Sequence, residues 1–125
     1  MSGLGWIAVA IAGFVGAWMV FDGVRALTAG DYVTPRTGPY AGQLGPWASL
    51  VRRAGVEPRS VGMKTAFVLL GLAWLAAAAG YAGGVAWADR ALVILSILSL
   101  WYLPIGTALA ILELILLLVI RIRGG

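Results

Sequence analysis

Long apolar runs alternate with one polar stretch along the chain, and this pattern predicts its elements. Apolar residues continue almost without interruption through 3–21, 62–82 and 91–120, whereas 22–61 is polar and rich in glycine and proline. About 20 consecutive apolar residues suffice to cross a bilayer as a helix. The pattern therefore predicts an all-α integral membrane protein, with residues 1–125 forming a single membrane domain.

The last apolar region leaves the number of spans open. As one helix its 30 residues would extend about 45 Å, against a hydrocarbon core of about 30 Å. Pro104 lies near the middle and biases Leu103 away from helical geometry. We expect a four-span helical bundle with a hairpin turn at Pro104 and Gly106, and the alternative is three spans with a Pro-kinked last helix. The four expected spans are about 3–21, 62–82, 87–102 and 107–120.

Charge and aromatic residues favour different span counts. Three spans would place Arg121 and Arg123 on the same side as the polar stretch, as the bias of basic residues toward the cytoplasm prefers. Four spans would instead place Trp101 and Tyr102 at an interface, where aromatic side chains concentrate.

A resemblance adds weight to four spans. The run Trp101-Tyr102-Leu103-Pro104-Ile105-Gly106-Thr107, followed by the apolar residues 108–118, resembles the Pro-(Ile/Leu)-Gly-Thr segment of small bacterial multi-spanning membrane proteins. In those proteins, which are mostly uncharacterised, the segment joins the last two short helices. The resemblance covers only the C-terminal third of the chain and implies no function.

The polar segment 22–61 is expected to be an ordered loop on the membrane surface. Asp22-Gly23 and Ala29-Gly30-Asp31 read as turn signals, and the prolines and glycines that follow prevent a regular helix. Tyr32 and Tyr40 would pack such a loop. The stretch from Asp22 to Lys64 also holds six of the nine basic residues: Arg25, Arg36, Arg52, Arg53, Arg59 and Lys64.

Residues 46–54 within this segment predict a short amphipathic helix. Proline suits its first position and Gly55 its C-terminal end. Trp47, Leu50 and Val51 share one face at helical spacing, and the two adjacent arginines lie elsewhere. Such a helix suits a membrane interface. We expect the apolar face to contact lipid or a partner protein, with lipid favoured: Trp47, Leu50, Val51, Arg52 and Arg53 are the candidate contacts.

Small residues recur every four positions in the first span. Ala8, Ala12 and Gly16 therefore share one helix face. Small side chains let helix backbones approach closely in lipid, and so this stripe is a candidate helix-packing surface.

Glu113 is the one ionisable residue clearly inside an apolar run. An intramembrane carboxyl is costly, and it is a functional candidate by default. We take Glu113, Ser96 and Ser99 as a candidate intramembrane polar site. The favoured interpretation is structural, with the carboxyl bonded to Ser96, Ser99 or Thr107. The alternatives are a proton- or cation-coupling site and a contact with a partner subunit.

Composition narrows the function further. The chain is 62% apolar and 11% charged, and it contains neither cysteine nor histidine. Thiolate and imidazole catalysis are thereby excluded, and the scattered acids do not have a metal-ligand spacing. We expect no catalytic residues, no cofactor and no metal. The net charge of +4 reflects the positive-inside bias and does not indicate nucleic acid.

These observations favour a non-enzymatic accessory or assembly subunit of a larger bacterial membrane protein complex. One alternative is a small oligomeric proton- or cation-coupled transporter or channel that uses Glu113, and another is a lipid-binding or membrane-shaping protein. The expected partners are membrane lipids and either other membrane protein subunits or further copies of the chain. The expected location is the bacterial inner membrane, with the polar segment 22–61 in the cytoplasm.

Overall fold

The computed structural model describes residues 2–35, 37, 39, 42–102 and 104–123, and the elements in these ranges are helices joined by turns and loops. Arg36, Tyr40 and Leu103, which the sequence arguments used, lie outside the described residues. Three of the helices, Gly3–Ala29, Val61–Ala82 and Ile105–Ile122, are long and apolar enough to cross a membrane. The helices are α1 (Gly3–Ala29), α2 (Pro46–Arg53), α3 (Val61–Ala82), α4 (Ala88–Leu98) and α5 (Ile105–Ile122).

The first helix is longer than the sequence predicted. The expected turn at Asp22-Gly23 is wrong, because α1 continues through both residues and ends only where Gly30 adopts a left-handed φ of 96°. Gly23 is buried against α3, where an added Cβ would lie 2.9 Å from Cβ of Phe67. The Asp22 carboxylate accepts a hydrogen bond from the Val33 N–H at 2.6 Å. Tertiary contacts thus keep a turn-like dipeptide helical.

The backbones of α1 and α3 touch at a pair of glycines. A Cβ added to Gly71 would lie 2.7 Å from the carbonyl oxygen of Gly16, and one added to Gly16 would lie 2.8 Å from the carbonyl oxygen of Gly71. Ala8, Ala12 and Gly16 are all buried. The stripe predicted from sequence therefore lies on the packed face of α1.

Both ends of α3 have local causes in the sequence. The Ser60 hydroxyl accepts a hydrogen bond from the Met63 N–H at 3.1 Å and caps the first turn. At the other end Gly83 and Gly84 form a turn, which the Val85 N–H closes by donating to the carbonyl of Gly80 at 2.9 Å. Gly84 has a φ of 77°, which suits glycine.

The C-terminal apolar region is a helical hairpin and not one kinked helix. Helix α4 ends at Leu98 and α5 begins at Ile105, so the turn comes earlier than the predicted 103–106. Pro104 precedes the first residue of α5, and Gly106 lies inside the helix. Position 106 requires glycine because the Tyr102 side chain occupies the space that a Cβ would need. Asp89, at the start of α4, pairs with Arg121 at the end of α5. The two helices are therefore antiparallel.

We predict that Gly71→Ala destabilises the protein by about 1–3 kcal/mol, since the new methyl group overlaps backbone atoms of α1 that have no room to move. Gly13→Ala is the matched control, because no neighbouring atom lies within 4 Å of its added Cβ. Unfolding in mixed micelles, followed by tryptophan fluorescence, measures both. Equal midpoints for the two variants would contradict close α1–α3 packing.

Candidate functional site

Glu113 lies on the interior face of α5. Its side chain is fully buried, at 0% exposure, on the same face as Gly106, Ala110 and Leu117. Within the part of the chain that the structure describes, neither carboxyl oxygen of Glu113 has a hydrogen-bond partner. A buried polar group without a partner is rare in folded proteins and calls for an explanation.

The hydroxyl groups expected to pair with Glu113 bond elsewhere. The Ser96 hydroxyl donates to the carbonyl of Leu92 at 2.7 Å, and the Thr107 hydroxyl donates to the carbonyl of Leu100 at 2.6 Å. Helical Ser and Thr commonly bond a carbonyl four residues back, as Ser96 does. The predicted bonding of Glu113 to these groups is therefore not what the structure contains.

Ser99 accepts a hydrogen bond from Trp74, which lies in the middle of α3. The Trp74 indole N–H donates to the Ser99 hydroxyl at 3.0 Å, and both side chains are fully buried. A buried indole N–H needs such an acceptor. Sequence reasoning grouped Ser99 with Glu113 because both lie in apolar runs. It could not pair Trp74 with Ser99, because nothing in the spacing joins a residue of α3 to one that follows α4.

An aromatic cluster joins the polar segment to the helices. It consists of Tyr32, Trp47, Phe67, Trp101 and Tyr102. The ring centroids of Trp47 and Phe67 are 4.9 Å apart, those of Tyr32 and Phe67 are 4.8 Å apart, and those of Phe67 and Tyr102 are 5.3 Å apart. Each such pair contributes about 0.5–1.5 kcal/mol beyond its burial. The cluster therefore holds α2 and the α4–α5 turn against the start of α3.

This cluster corrects the expected role of Trp47. The sequence predicted an exposed contact with lipid or a partner, but Trp47 is only 4% exposed and packs inside the protein. Val51 lies half-buried against the same core, while Leu50 is 40% exposed. Arg52 and Arg53 are exposed, and Arg52 lies 3.7 Å from the Glu57 carboxylate. The apolar face of α2 thus turns inward because Tyr32 and Phe67 offer it an aromatic surface.

Basic side chains fasten the polar segment by donating to backbone carbonyls. Arg25 donates to the carbonyls of Asp31 and Tyr32 at 3.0 and 2.8 Å. Lys64 donates to the carbonyl of Gly30 at 3.0 Å and so gives a hydrogen-bond partner to this carbonyl at the C-terminal end of α1. Arg59 donates to the carbonyl of Gly42 at 2.9 Å. These charges therefore order the backbone of the segment.

Two titratable groups in this segment respond to their surroundings. Partial burial alone would raise the pKa of the Asp31 carboxyl, but hydrogen bonds from Arg59 and the Tyr32 N–H, together with the charges of Arg59 and Lys64, outweigh it and lower the pKa. Burial raises the pKa of the Tyr32 hydroxyl, which donates to the carbonyl of Pro58 at 2.8 Å. The Asp31–Arg59 contact therefore persists at neutral pH and weakens only as the pH falls through the lowered pKa.

A cavity of about 330 Å³ lies between α1, α5 and the polar segment. Its walls are mainly apolar and aromatic, and Asp22 is the one charged side chain among the described residues that line it. The Trp18 indole N–H donates to the Tyr102 hydroxyl at 3.1 Å at this wall. The lining residues are Phe14, Val15, Trp18, Asp22, Tyr32, Val33, Leu44, Trp47, Tyr102, Pro104, Ile105, Gly106 and Leu109.

The described ranges contain no cluster of side chains that could bind a metal ion. There, no three acidic, histidine or cysteine side chains lie close enough together to hold a metal ion.

We predict that Ser99→Ala destabilises the protein by about 1–3 kcal/mol, because it leaves the buried indole N–H of Trp74 without an acceptor. Ser49→Ala, on the exposed side of α2, should have little effect and serves as the control. Thermal unfolding in detergent compares the two variants. The proposed Trp74–Ser99 bond would be refuted by equal midpoints.

Comparison of this chain with protein-family models, with curated protein sequences and with solved structures finds no match. The resemblance of residues 101–118 to small bacterial membrane proteins therefore stays a prediction. Any function has to be argued from the geometry of the chain itself.

Proposed function

We propose that this protein is a small proton- or cation-coupled membrane transporter and that Glu113 is its coupling group. One observation carries the proposal: the carboxyl of Glu113 is fully buried on the interior face of α5, without a hydrogen-bond partner among the described residues.

The energetic cost of this arrangement supports an ion-handling role. An ionised carboxylate in apolar surroundings is stable only with a counter-charge, and even a neutral carboxyl loses free energy if its polar atoms stay unpaired. The Ser96 and Thr107 hydroxyls, which could have served a structural role, donate to backbone carbonyls instead. A carboxyl in this setting is suited to hold a proton or a cation. Uptake and release of that ion is the elementary step of coupling.

The proposal includes four membrane crossings by α1, α3, α4 and α5. Helix α4 has 11 residues and is about 16 Å long, too short to cross alone. The turn that follows extends it to Trp101 and Tyr102, which pack on Trp47 and Phe67 beside the polar segment. Its other end carries Asp89, the partner of Arg121. These contacts are consistent with α4 and the turn after it crossing the full depth of the bundle, antiparallel to α5.

Charge supports an orientation with the polar segment in the cytoplasm of a bacterium, at the inner membrane. The stretch from Asp22 to Lys64 carries six basic residues. The opposite end of the bundle has Arg90, Arg121 and Arg123, one of which is paired with Asp89. The more basic end faces the cytoplasm in most membrane proteins.

The second candidate is an accessory subunit of a larger membrane protein complex. Its supporting observation is the outer surface of α4 and α5, which exposes large apolar side chains that a neighbouring subunit could cover as well as lipid could. These side chains are Ile94, Ile97, Leu98, Ile111, Leu112, Ile115, Leu118 and Ile122. The third candidate, a lipid-binding or membrane-shaping protein, depends on Arg52 and Arg53, which are exposed in the last turn of α2.

We predict that Glu113→Gln lowers ion flux at least tenfold. Purified protein is reconstituted into liposomes that contain a pH-sensitive dye, and a potassium-diffusion potential starts the flux. The measurement is repeated with several different cations in the external solution. Glutamine has the size of glutamate but cannot release a proton or balance a cation. Glu57→Gln is the matched control, because Glu57 is exposed in the polar segment.

Wild-type and Glu57→Gln liposomes should show the same flux, well above empty liposomes. Flux by Glu113→Gln at the wild-type rate would contradict the proposal, as would a wild-type rate equal to that of empty liposomes.

The native mass of the assembly, extracted gently from its own membrane, separates the first two candidates. A transporter should emerge alone or as a homo-oligomer. Co-purification with larger proteins at constant stoichiometry would favour the accessory subunit, and peptide identification of those proteins would name the complex.

A further inference from the structure

The cavity between α1, α5 and the polar segment has a combination of features that selects one ligand class. We infer that it binds a lipophilic organic cation, such as a hydrophobic ammonium or phosphonium ion. This site is separate from Glu113, and the inference holds whether or not Glu113 couples ion flux.

The first feature is a single buried negative charge. Asp22 is 5% exposed and is the one charged side chain among the described lining residues. One of its oxygens, Oδ1, accepts the Val33 N–H at 2.6 Å, which holds the carboxylate in place. A carboxylate with few polar neighbours stabilises an opposite charge more strongly than one in water does.

The second feature is the aromatic wall. Trp18, Tyr32, Trp47 and Tyr102 all line the cavity. The faces of such rings attract cations, and more strongly where water is excluded. The hydrogen bond from Trp18 to the Tyr102 hydroxyl keeps two of these rings in fixed positions. A rigid aromatic wall beside a carboxylate is the arrangement that proteins use to bind quaternary ammonium groups.

The basic residue nearest in sequence does not occupy the site. Arg25 lies one helical turn after Asp22, but its guanidinium donates to the carbonyls of Asp31 and Tyr32. It is absent from the cavity lining. The charge of Arg25 acts on Asp22 from outside the cavity, and the described lining residues include no positive side chain.

The position of the opening indicates a lipophilic ligand. Phe14 of α1 and Ile105 of α5 line the cavity and are 57% and 67% exposed. Both belong to apolar helices long enough to cross a membrane, so the opening lies between two surfaces that lipid covers. A ligand that enters there has to dissolve in the outer part of the bilayer before it binds.

Tetraphenylphosphonium and tetraphenylborate test the inference, because they are nearly equal in shape and opposite in charge. Their binding to the detergent-solubilised full chain is measured by titration calorimetry, with quenching of tryptophan fluorescence as the second readout. The wild-type protein should bind the phosphonium at least tenfold more tightly than the borate. Asp22→Asn, which keeps the acceptor for the Val33 N–H, should abolish that preference, whereas Glu57→Gln should retain it.

A second variant tests the inference independently, in case Asp22→Asn does not fold. Ile105→Trp leaves Asp22 untouched and places a bulky ring at the exposed edge of the cavity, and it should weaken binding of the phosphonium at least tenfold. Equal affinity of the wild-type protein for both ions would overturn the inference and indicate a slot for lipid chains. Phosphonium binding that is unchanged in Asp22→Asn and in Ile105→Trp would also overturn it.

Discussion

The contact between Gly16 and Gly71 is the constraint on which the rest of the structure depends. Lipid solvates apolar side chains as well as a protein interior does, so helices in a membrane associate through close van der Waals contact and not through the hydrophobic effect. Two glycines let the backbones of α1 and α3 touch. That contact sets the height of one helix relative to the other, and it brings the end of α1 beside the start of α3.

The polar segment depends on this alignment. Lys64 of α3 reaches the carbonyl of Gly30 at the end of α1, and Arg59 reaches Asp31. Phe67, one turn after Lys64, presents its ring to Trp47 and Tyr32. The described residues of this segment are held in place by carbonyls that accept from basic side chains and by rings that pack. The cavity beside Asp22 lies between α1, α5 and this segment, so the candidate ligand site depends on the position that the segment takes.

Features that depend on neighbours along the chain could be predicted from the sequence. The small-residue stripe of α1, the Ser60 cap and the range of α2 follow from spacing and capping chemistry, and the burial of Glu113 follows from its apolar flanks. Features that depend on distant partners could not. Asp22-Gly23 has the composition of a turn, but packing on Phe67 keeps it helical. The apolar face of α2 suits lipid equally well, and only its contact with Tyr32 and Phe67 turns Trp47 inward.

The proposed coupling role of Glu113 is tested most directly by modifying Glu113 with a hydrophobic carbodiimide in native membranes, followed by peptide mass spectrometry. Such reagents attack carboxyls that hold a proton in apolar surroundings and are not engaged in an ion pair. If Glu113 is the proposed coupling group, the reagent should modify Glu113 selectively, leave the exposed Glu57 unmodified, and be blocked at Glu113 by a cation that the protein transports. Failure to modify Glu113 while the reagent labels other carboxyls would refute the coupling role and assign Glu113 to a paired, structural role.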